Sequence, residues 1–178
     1  DLLIKSKMHF SSILDVGTGS GVIALTLLDQ GVANKAVASD ISIKALEVAR
    51  INARRLRLHD RCDFIHTDRL EKISQTFDLI ISNPPYIKAR SHRSGVHESV
   101  DLHEPKLALY LADEEYDAWF KGFFTQIKGH LNPGGMFLME GHELEVLHQS
   151  RELQHLGFSK SEVLEDFAQR PRYIRSIL

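Results

Sequence analysis

The distribution of hydrophobic positions divides the chain into short apolar runs and longer segments of helical period. Runs rich in Ile, Val and Leu are typical of buried parallel strands, and the amphipathic segments between them are typical of crossover helices. The pattern predicts strands over residues 12–17, 35–41, 61–68, 77–82 and 136–140, and helices over 21–30, 42–57, 114–131 and 144–156. This alternation predicts an α/β fold with a mostly parallel sheet. In the helix predicted over 42–57, Ser42 can cap the first turn. The apolar side of this helix is formed by Ile43, Leu46, Val48, Ala49, Ala53 and Leu56.

The end of the chain departs from this alternation. Two runs with strand character, 163–167 and 173–178, are separated by a short turn, which predicts an antiparallel hairpin that closes the sheet. Earlier in the chain, the Asn-Pro-Gly-Gly sequence at 132–135 predicts a turn, and the polar stretch 88–104 predicts a long connection.

Composition narrows the class of protein. The chain has 178 residues, a formal net charge of -2 and a single cysteine, Cys62. We therefore expect one domain over residues 1–178, no disulfide within the chain and a cytoplasmic location. No apolar run reaches the ~18 residues needed to span a membrane, and the balanced charge argues against a nucleic-acid partner. The histidines lack cysteine partners and ligand spacing, so no metal site is predicted.

A glycine-rich loop, Asp-Val-Gly-Thr-Gly-Ser-Gly, joins the first predicted strand to the first helix. Glycines allow a sharp turn and a close approach of the backbone to a ligand. The loop is not a P-loop, because Val22 and Ile23 stand where Lys and Ser or Thr are needed. It is not the dinucleotide fingerprint either, because the glycines occupy every second position. The loop therefore favours a cofactor without a pyrophosphate.

Acidic residues close the next two predicted strands. Asp40 lies about 20 residues beyond the glycines, where a carboxylate can accept hydrogen bonds from both ribose hydroxyls. Asp68 ends the third strand and is followed by Arg69. Since the carboxyl ends of parallel strands meet at one edge of a sheet, the loop and the two acids predict a nucleoside-binding cleft. Taken singly, each feature is also typical of an ordinary turn or helix cap.

The glycine loop followed by the acid Asp40 resembles the class I S-adenosylmethionine-dependent methyltransferases. The resemblance implies a Rossmann-like sheet of seven strands with helices on both faces and an antiparallel C-terminal hairpin. It also implies S-adenosyl-L-methionine as cofactor and S-adenosyl-L-homocysteine as product. The residues that it assigns to the cofactor are Gly17, Thr18, Gly19, Ser20 and Gly21 beside the methionine part, Asp40 at the ribose, Asp68 and Arg69 at the adenine, and Asn83 beside the methyl group.

The segment Ser-Asn-Pro-Pro-Tyr-Ile follows the fourth predicted strand, and its prolines alone would make it a strand-ending turn. A planar amide or amino nitrogen is a poor nucleophile, so it must be positioned. The side-chain carbonyl of Asn83 and the backbone carbonyl of Pro84 could accept hydrogen bonds from its two N–H groups and direct its lone pair at the methyl group. Pro85 would stiffen the loop, and Tyr86 would provide an aromatic wall. We therefore predict that Asn83, Pro84 and Tyr86 are catalytic and that all four residues bind substrate.

The downstream sequence resembles the HemK/PrmC family of protein-(glutamine-N5) methyltransferases. The matching residues are Glu104-Pro105 with Ala108-Leu109, Gly134-Gly135, Glu140-Gly141-His142, Leu156-Gly157-Phe158 and the turn 166–172. The resemblance implies methylation of the glutamine in the Gly-Gly-Gln motif of class 1 peptide chain release factors, with Glu104 in the substrate site. Bacterial members carry an N-terminal helical substrate-binding domain, which we expect to be absent from this chain. Arg69 stands where they often place a bulky apolar or aromatic residue beside the adenine.

Two other functions are compatible with these motifs. Amino methyltransferases that act on adenine in DNA or RNA share Asn-Pro-Pro-Tyr, but they need a larger basic surface to grip phosphates. A non-catalytic partner subunit could share the fold, although it would have no chemical reason to retain the glycines, Asp40 and Asn83 together. The basic stretch formed by Lys88, Arg90, His92, Arg93 and His97 is either a solvated loop or a lid, and it does not discriminate.

Overall fold

The computed structural model describes residues 2–92 and 105–178. The helices are α1 (Leu2–Lys5), α2 (Val22–Asp29), α3 (Ile43–Arg55), α4 (Lys106–Leu109), α5 (Tyr116–Gly129) and α6 (Val146–His155). The strands are β1 (Phe10–Val16), β2 (Ala33–Asp40), β3 (Cys62–His66), β4 (Phe77–Ser82), β5 (Ile87–Lys88), β6 (Tyr110–Leu111), β7 (Leu131–Glu140), β8 (Lys160–Glu165) and β9 (Pro171–Ile177). In these two stretches of chain, no helix is long and apolar enough to cross a membrane.

One seven-stranded sheet organises the molecule, in the order β3-β2-β1-β4-β7-β9-β8. Strands β1 to β4 and β7 are parallel, and β9 runs antiparallel to both β7 and β8. The predicted α/β sheet with an antiparallel C-terminal hairpin is therefore confirmed. The strand order reverses between β1 and β4, and open α/β sheets bind ligands at the carboxyl ends of the strands at such a switch point.

Two hydrophobic cores cover the faces of the sheet, because successive strand residues point to opposite sides. Ile13 and Leu79 face α2 and α3, whereas Leu14 and Ile80 face α5 and α6. The second core is aromatic, and its fully buried rings are Phe77, Tyr116, Phe123, Phe124 and Phe137. Burial on both faces explains why the central strands are continuous apolar runs rather than alternating ones.

Helix α3 shows how the local sequence specifies these elements. The Ser42 side chain accepts a hydrogen bond from the Ala45 backbone N–H at 3.2 Å, which satisfies one of the free donors of the first turn. Leu46, Ala49 and Ala53 recur at helical spacing and are buried. The predicted cap is confirmed, but the predicted apolar side is buried only at these three positions, because Ile43, Val48 and Leu56 are 55%, 47% and 50% exposed.

The structure corrects the predicted turn at 132–135, because those residues are part of β7. Phe77 pairs with Leu131 and Leu79 pairs with Met136, so the residues between Leu131 and Met136 form a bulge in a continuous strand. The side chain of Asn132 donates to Asp78 at 2.8 Å and holds the bulge against β4. Four short elements, α1, α4, β5 and β6, were not predicted, because two to four residues are too few to show a hydrophobic period.

Candidate active site

Three predicted site residues meet where the ends of β1, β2 and β4 lie side by side. Val16 is paired with Ser39 of β2 and with Ser82 of β4. Gly17, Asp40 and Asn83 are the next residues of these three strands, so the sheet register brings them together. A Cβ atom on Gly17 would lie 3.9 Å from the backbone oxygen of Asn83. The predicted cleft would therefore lie directly between the glycine loop and the Asn-Pro-Pro-Tyr segment.

The glycine loop is held by its own backbone and by the end of β2. The N–H groups of Gly17 and Thr18 both donate to the Ser39 carbonyl at 2.9 Å, and Gly21 N–H donates back to the Thr18 carbonyl at 2.9 Å. Gly17 has a φ of +73°, which side chains rarely adopt. Thr18 is buried and its hydroxyl donates to Asp15, so this side chain stabilises the loop instead of pointing outward. Its predicted contact with the cofactor stays a prediction.

Asp15, the first residue of the loop motif, is fully buried and was given no separate function by the sequence. One carboxylate oxygen accepts from the Thr18 hydroxyl at 2.7 Å and from the Ala24 N–H at 3.1 Å, while the other has no hydrogen-bond partner among residues 2–92 and 105–178. Burial raises the pKa of Asp15 from 3.8 to about 6, and the nearby charge of Asp40 acts in the same direction. The loop is therefore held by a carboxyl group whose ionised form is disfavoured by burial.

Asp40 connects the glycine loop to the next helix. Its two oxygens accept from the Gly19 N–H and the Ser42 N–H, each at 2.8 Å. A carboxylate oxygen can accept two hydrogen bonds, so capacity for the predicted ribose hydroxyls is left. Ile41, which the sequence analysis did not single out, follows with 48% of its surface exposed and offers an apolar surface beside Asp40.

Asp68 and Arg69 lie at the far end of this cleft, where the Thr67 N–H donates to the Asp40 carbonyl at 3.1 Å. Arg69 Nε lies 3.3 Å from Asp68 Oδ1, and the guanidinium stands over the Trp119 ring at 5.5 Å. Arg69 is therefore neutralised by its neighbour and packed against α5. The roles predicted for both residues at the adenine stay predictions.

The Asn-Pro-Pro-Tyr segment combines an open end with an anchored end. Asn83 is exposed at the cleft, Pro84 is buried, and Tyr86 is partly buried. The Tyr86 hydroxyl donates to Glu140 Oε1 at 3.0 Å. Burial and the Glu140 charge raise the pKa of Tyr86 to about 12, so the phenol stays protonated and cannot act as a general base near neutral pH. Glu140 was given no role by the sequence analysis, and its hydrogen bond holds Tyr86, the predicted aromatic wall of the site.

The described part of the basic stretch is paired with acidic residues. Lys88 Nζ lies 2.6 Å from Glu145, Arg90 pairs with Glu114, and His92 lies 3.5 Å from Glu145. The other predicted residues of this region, Arg93, His97 and the substrate residue Glu104, lie outside the described residues. Neither the loop nor the lid interpretation is decided.

An apolar groove of about 430 Å³ adjoins Asn83 on the α2 side of the sheet. It is lined mainly by Ile23, Leu27, Ile81, Leu138, Leu164 and Phe167. Within residues 2–92 and 105–178, no group of three or more His, Cys, Asp and Glu side chains is arranged to hold a metal ion.

Comparison with known proteins adds an independent observation. The methyltransferase small domain matches residues 2–104. Release factor glutamine methyltransferase of Cereibacter sphaeroides is 34% identical over 169 residues, which are 95% of this chain and 60% of that protein. Ribosomal protein uL3 glutamine methyltransferase of Neisseria gonorrhoeae is 42% identical over 135 residues, which are 75% of this chain and 44% of that protein.

Solved structures show the same fold. A methyltransferase from Pyrococcus furiosus superposes with a TM-score of 0.70 at 18% identity, covering 99% of this chain and 79% of that one. The chain spans only 44% to 60% of the lengths of the two relatives above.

Proposed function

This chain belongs to the methyltransferase small-domain family and is a class I S-adenosylmethionine-dependent methyltransferase, and we propose that it methylates the side-chain amide nitrogen of a protein glutamine. The observation that carries the proposal is the placement of Asn83 directly beside Gly17 at the switch point of the sheet. This placement puts hydrogen-bond acceptors for an amide next to the loop expected to hold the methyl donor.

The residues around the cleft suit S-adenosylmethionine. The missing side chain of Gly17 keeps clear the position beside Asn83 where a Cβ atom would lie 3.9 Å from the backbone oxygen. Asp40 retains acceptor capacity for ribose hydroxyls, and the buried Asp15 provides negative charge beneath the loop. When bound, the cofactor supplies a sulfonium-activated methyl group, and a nearby carboxylate is favourable for a cationic ligand.

Positioning of the amide group by the Asn-Pro-Pro-Tyr segment explains how its nitrogen could react. The side-chain oxygen of Asn83 and the backbone oxygen of Pro84 would accept hydrogen bonds from the two amide N–H groups and orient the nitrogen lone pair. Tyr86 would pack against the flat amide. Since Tyr86 remains protonated, it would not take up the amide proton, which can leave to solvent once methylation has made the nitrogen positively charged.

For the acceptor we propose the glutamine of the Gly-Gly-Gln motif in class 1 peptide chain release factors. The release factor enzyme matches 95% of the chain, and the Glu104-Pro105 sequence supports the same assignment. A second candidate is a glutamine of ribosomal protein uL3, which is favoured by the higher identity of 42% to the uL3 enzyme over a shorter span.

The test is methyl transfer from isotope-labelled S-adenosylmethionine to a release factor, to uL3, and to DNA and RNA oligonucleotides carrying adenine. Each protein is paired with a version in which the target glutamine is alanine, and mass spectrometry locates the methyl group. We expect labelling of the release factor that disappears with the glutamine. Labelling of uL3 alone would select the second acceptor. Equal labelling of the glutamine and alanine versions, or labelling of oligonucleotides only, would contradict glutamine methylation.

A further inference from the structure

Tyr86 is contacted by side chains from distant parts of the chain. Its hydroxyl donates to Glu140 at the end of β7, a residue 54 positions later. Arg172 of β9 places its guanidinium 5.3 Å from the centre of the Tyr86 ring, and its Nε lies 3.7 Å from Glu140 Oε1. The three side chains therefore form one closed set of contacts: a hydrogen bond, an ion pair and a cation–π contact.

The backbone fixes Arg172 in this set. Gly141 N–H donates to the Arg172 carbonyl at 2.8 Å, and an Arg172 guanidinium nitrogen donates to the Gly141 carbonyl at 3.3 Å. Glu140 is paired with Tyr173 in the same ladder. The side chains of Arg172 and Glu140 are only 24% and 27% exposed, so their contacts with Tyr86 are less screened by water than those of an open surface pair.

The backbone of Tyr86 is held from another direction. Its carbonyl accepts from the Tyr116 hydroxyl at 3.1 Å, and Gln149 donates to that hydroxyl at 3.2 Å. With the main chain anchored by α5 and α6, the direction of the ring depends on the contacts of its side chain. Arg172 lies over the ring and therefore restricts the orientations that the ring can take.

We propose that Glu140 and Arg172 are positioning residues that act through Tyr86, holding its ring in the orientation that binds the acceptor amide. The proposal deepens the function proposed above and rests on it for the nature of the acceptor. Neither residue touches the reacting atoms in this scheme. Their loss should therefore weaken binding of the acceptor protein and leave the methyl-transfer step and the cofactor site nearly unchanged.

Steady-state kinetics with the release factor give the first test. Arg172→Ala and Glu140→Gln should each raise KM for the acceptor about tenfold, with kcat within about threefold of the parent, because a partly buried cation–π contact or ion pair is lost. Arg172→Lys should recover part of the loss, since the charge remains but the planar guanidinium does not. Arg175→Ala is the matched control, because Arg175 lies on the same strand and pairs with Glu162 instead. It should leave KM unchanged.

A double-mutant cycle asks whether the effect passes through Tyr86. In a Tyr86→Ala background, Arg172→Ala should cause no further rise in KM, because the side chain through which it acts is gone. The same tenfold rise in both backgrounds would overturn the proposal.

A spectroscopic measurement separates this proposal from the glutamine acceptor. The chain has four tyrosines, and the ring signals of a ¹³C-tyrosine-labelled sample can be assigned with Tyr86→Phe. Arg172→Ala and Glu140→Gln should both shift the Tyr86 signal without any substrate, while Arg175→Ala should not. If the signal shifts but no glutamine is methylated, the positioning of Tyr86 stands and the acceptor is wrong. An unshifted Tyr86 signal in folded variants would overturn the positioning role itself.

Discussion

The two sides of the cleft are built in different ways. On the proposed cofactor side, the contacts of the glycine loop, Asp15 and Asp40 stay within the segment from β1 to the start of α3, and most of them end on backbone groups. On the acceptor side, Tyr86 is held by Glu140, Arg172 and Tyr116 from later elements. The first side needs only β1, α2 and β2 to pack together, whereas the second exists only after the C-terminal half has folded onto the sheet.

This difference predicts that variants on the two sides affect different measurements. Cofactor-side variants should change affinity for S-adenosylmethionine, and acceptor-side variants should change catalysis or affinity for the methylated protein.

Asn83→Ala is expected to have the largest effect. Removing a positioned acceptor from the reacting amide should cost roughly 3 kcal/mol of transition-state stabilisation, or about a hundredfold in kcat. Calorimetry should show nearly unchanged affinity for S-adenosylmethionine, because the glycine loop and Asp40 remain. Asn34→Ala serves as the control, because Asn34 is exposed and lies at the amino end of β2, away from the carboxyl ends of the strands. Unimpaired turnover by Asn83→Ala would show that the Asn-Pro-Pro-Tyr segment is only a strand-ending turn.

Asp15→Asn tests the electrostatic cost built into the cofactor side. Because the folded pKa of about 6 lies above the unfolded value of 3.8, the folded protein binds more protons between these values. The contribution of Asp15 to stability is therefore lost as pH rises through this window, by about 2–3 kcal/mol. Urea unfolding gives the free energy of unfolding of both proteins at about pH 4 and about pH 7. The value for Asp15→Asn, relative to that of the parent protein, should be higher by this amount at about pH 7 than at about pH 4.

The exposed Asp63, changed to asparagine, is the control for Asp15→Asn. A difference in unfolding free energy between parent and Asp15→Asn that does not vary with pH would show that the Asp15 carboxyl is not strained by burial.

Asp40→Ala should act on the cofactor side alone. The variant loses the carboxylate that anchors the Gly19 N–H and is predicted to accept ribose hydroxyls, and charge-assisted hydrogen bonds are worth about 1.5–3 kcal/mol each. Calorimetry should show at least about a tenfold loss of affinity for S-adenosylmethionine. Asp60→Ala, at a residue whose side chain is 90% exposed, should bind normally. Unchanged binding by a folded Asp40→Ala variant would remove this residue from the cofactor site.

The smallest effect is expected at His142 on the acceptor side. Its ring stacks on His92 with centroids 3.8 Å apart. Burial, together with electrostatic repulsion from His92 and Arg172, lowers the pKa of His142. With the folded pKa below the unfolded one, the unfolded protein binds more protons, so stability is present at neutral pH and is lost on acidification through the unfolded pKa.

His142→Gln should therefore lose less stability than the parent protein when the pH falls from about 7.5 to about 5.5. Thermal unfolding at the two pH values measures this difference, with the exposed His155→Gln as control. Equal losses in all three proteins would show that the stacked pair does not respond to pH.

Features encoded over a few residues could be predicted from the sequence. The apolar runs predicted the central strands, Ser42 predicted the cap of α3, and the glycine loop with Asp40 predicted a cleft at the strand ends. The interactions behind these features span only a few residues or repeat with the period of the element, so they can be read before the chain is folded. The fold class followed because alternating strands and helices leave few ways to cover both faces of a sheet.

The tertiary structure alone decided which side chains meet across the elements. It turned Thr18 inward to Asp15, packed Arg69 on Trp119, and absorbed the predicted turn at 132–135 into a bulge of β7. It also brought Glu140 and Arg172 to Tyr86. Such contacts depend on strand order and register, and so does the burial that shifts the pKa of Asp15. Neither is present in any local stretch of sequence, because register and burial are properties of the assembled sheet.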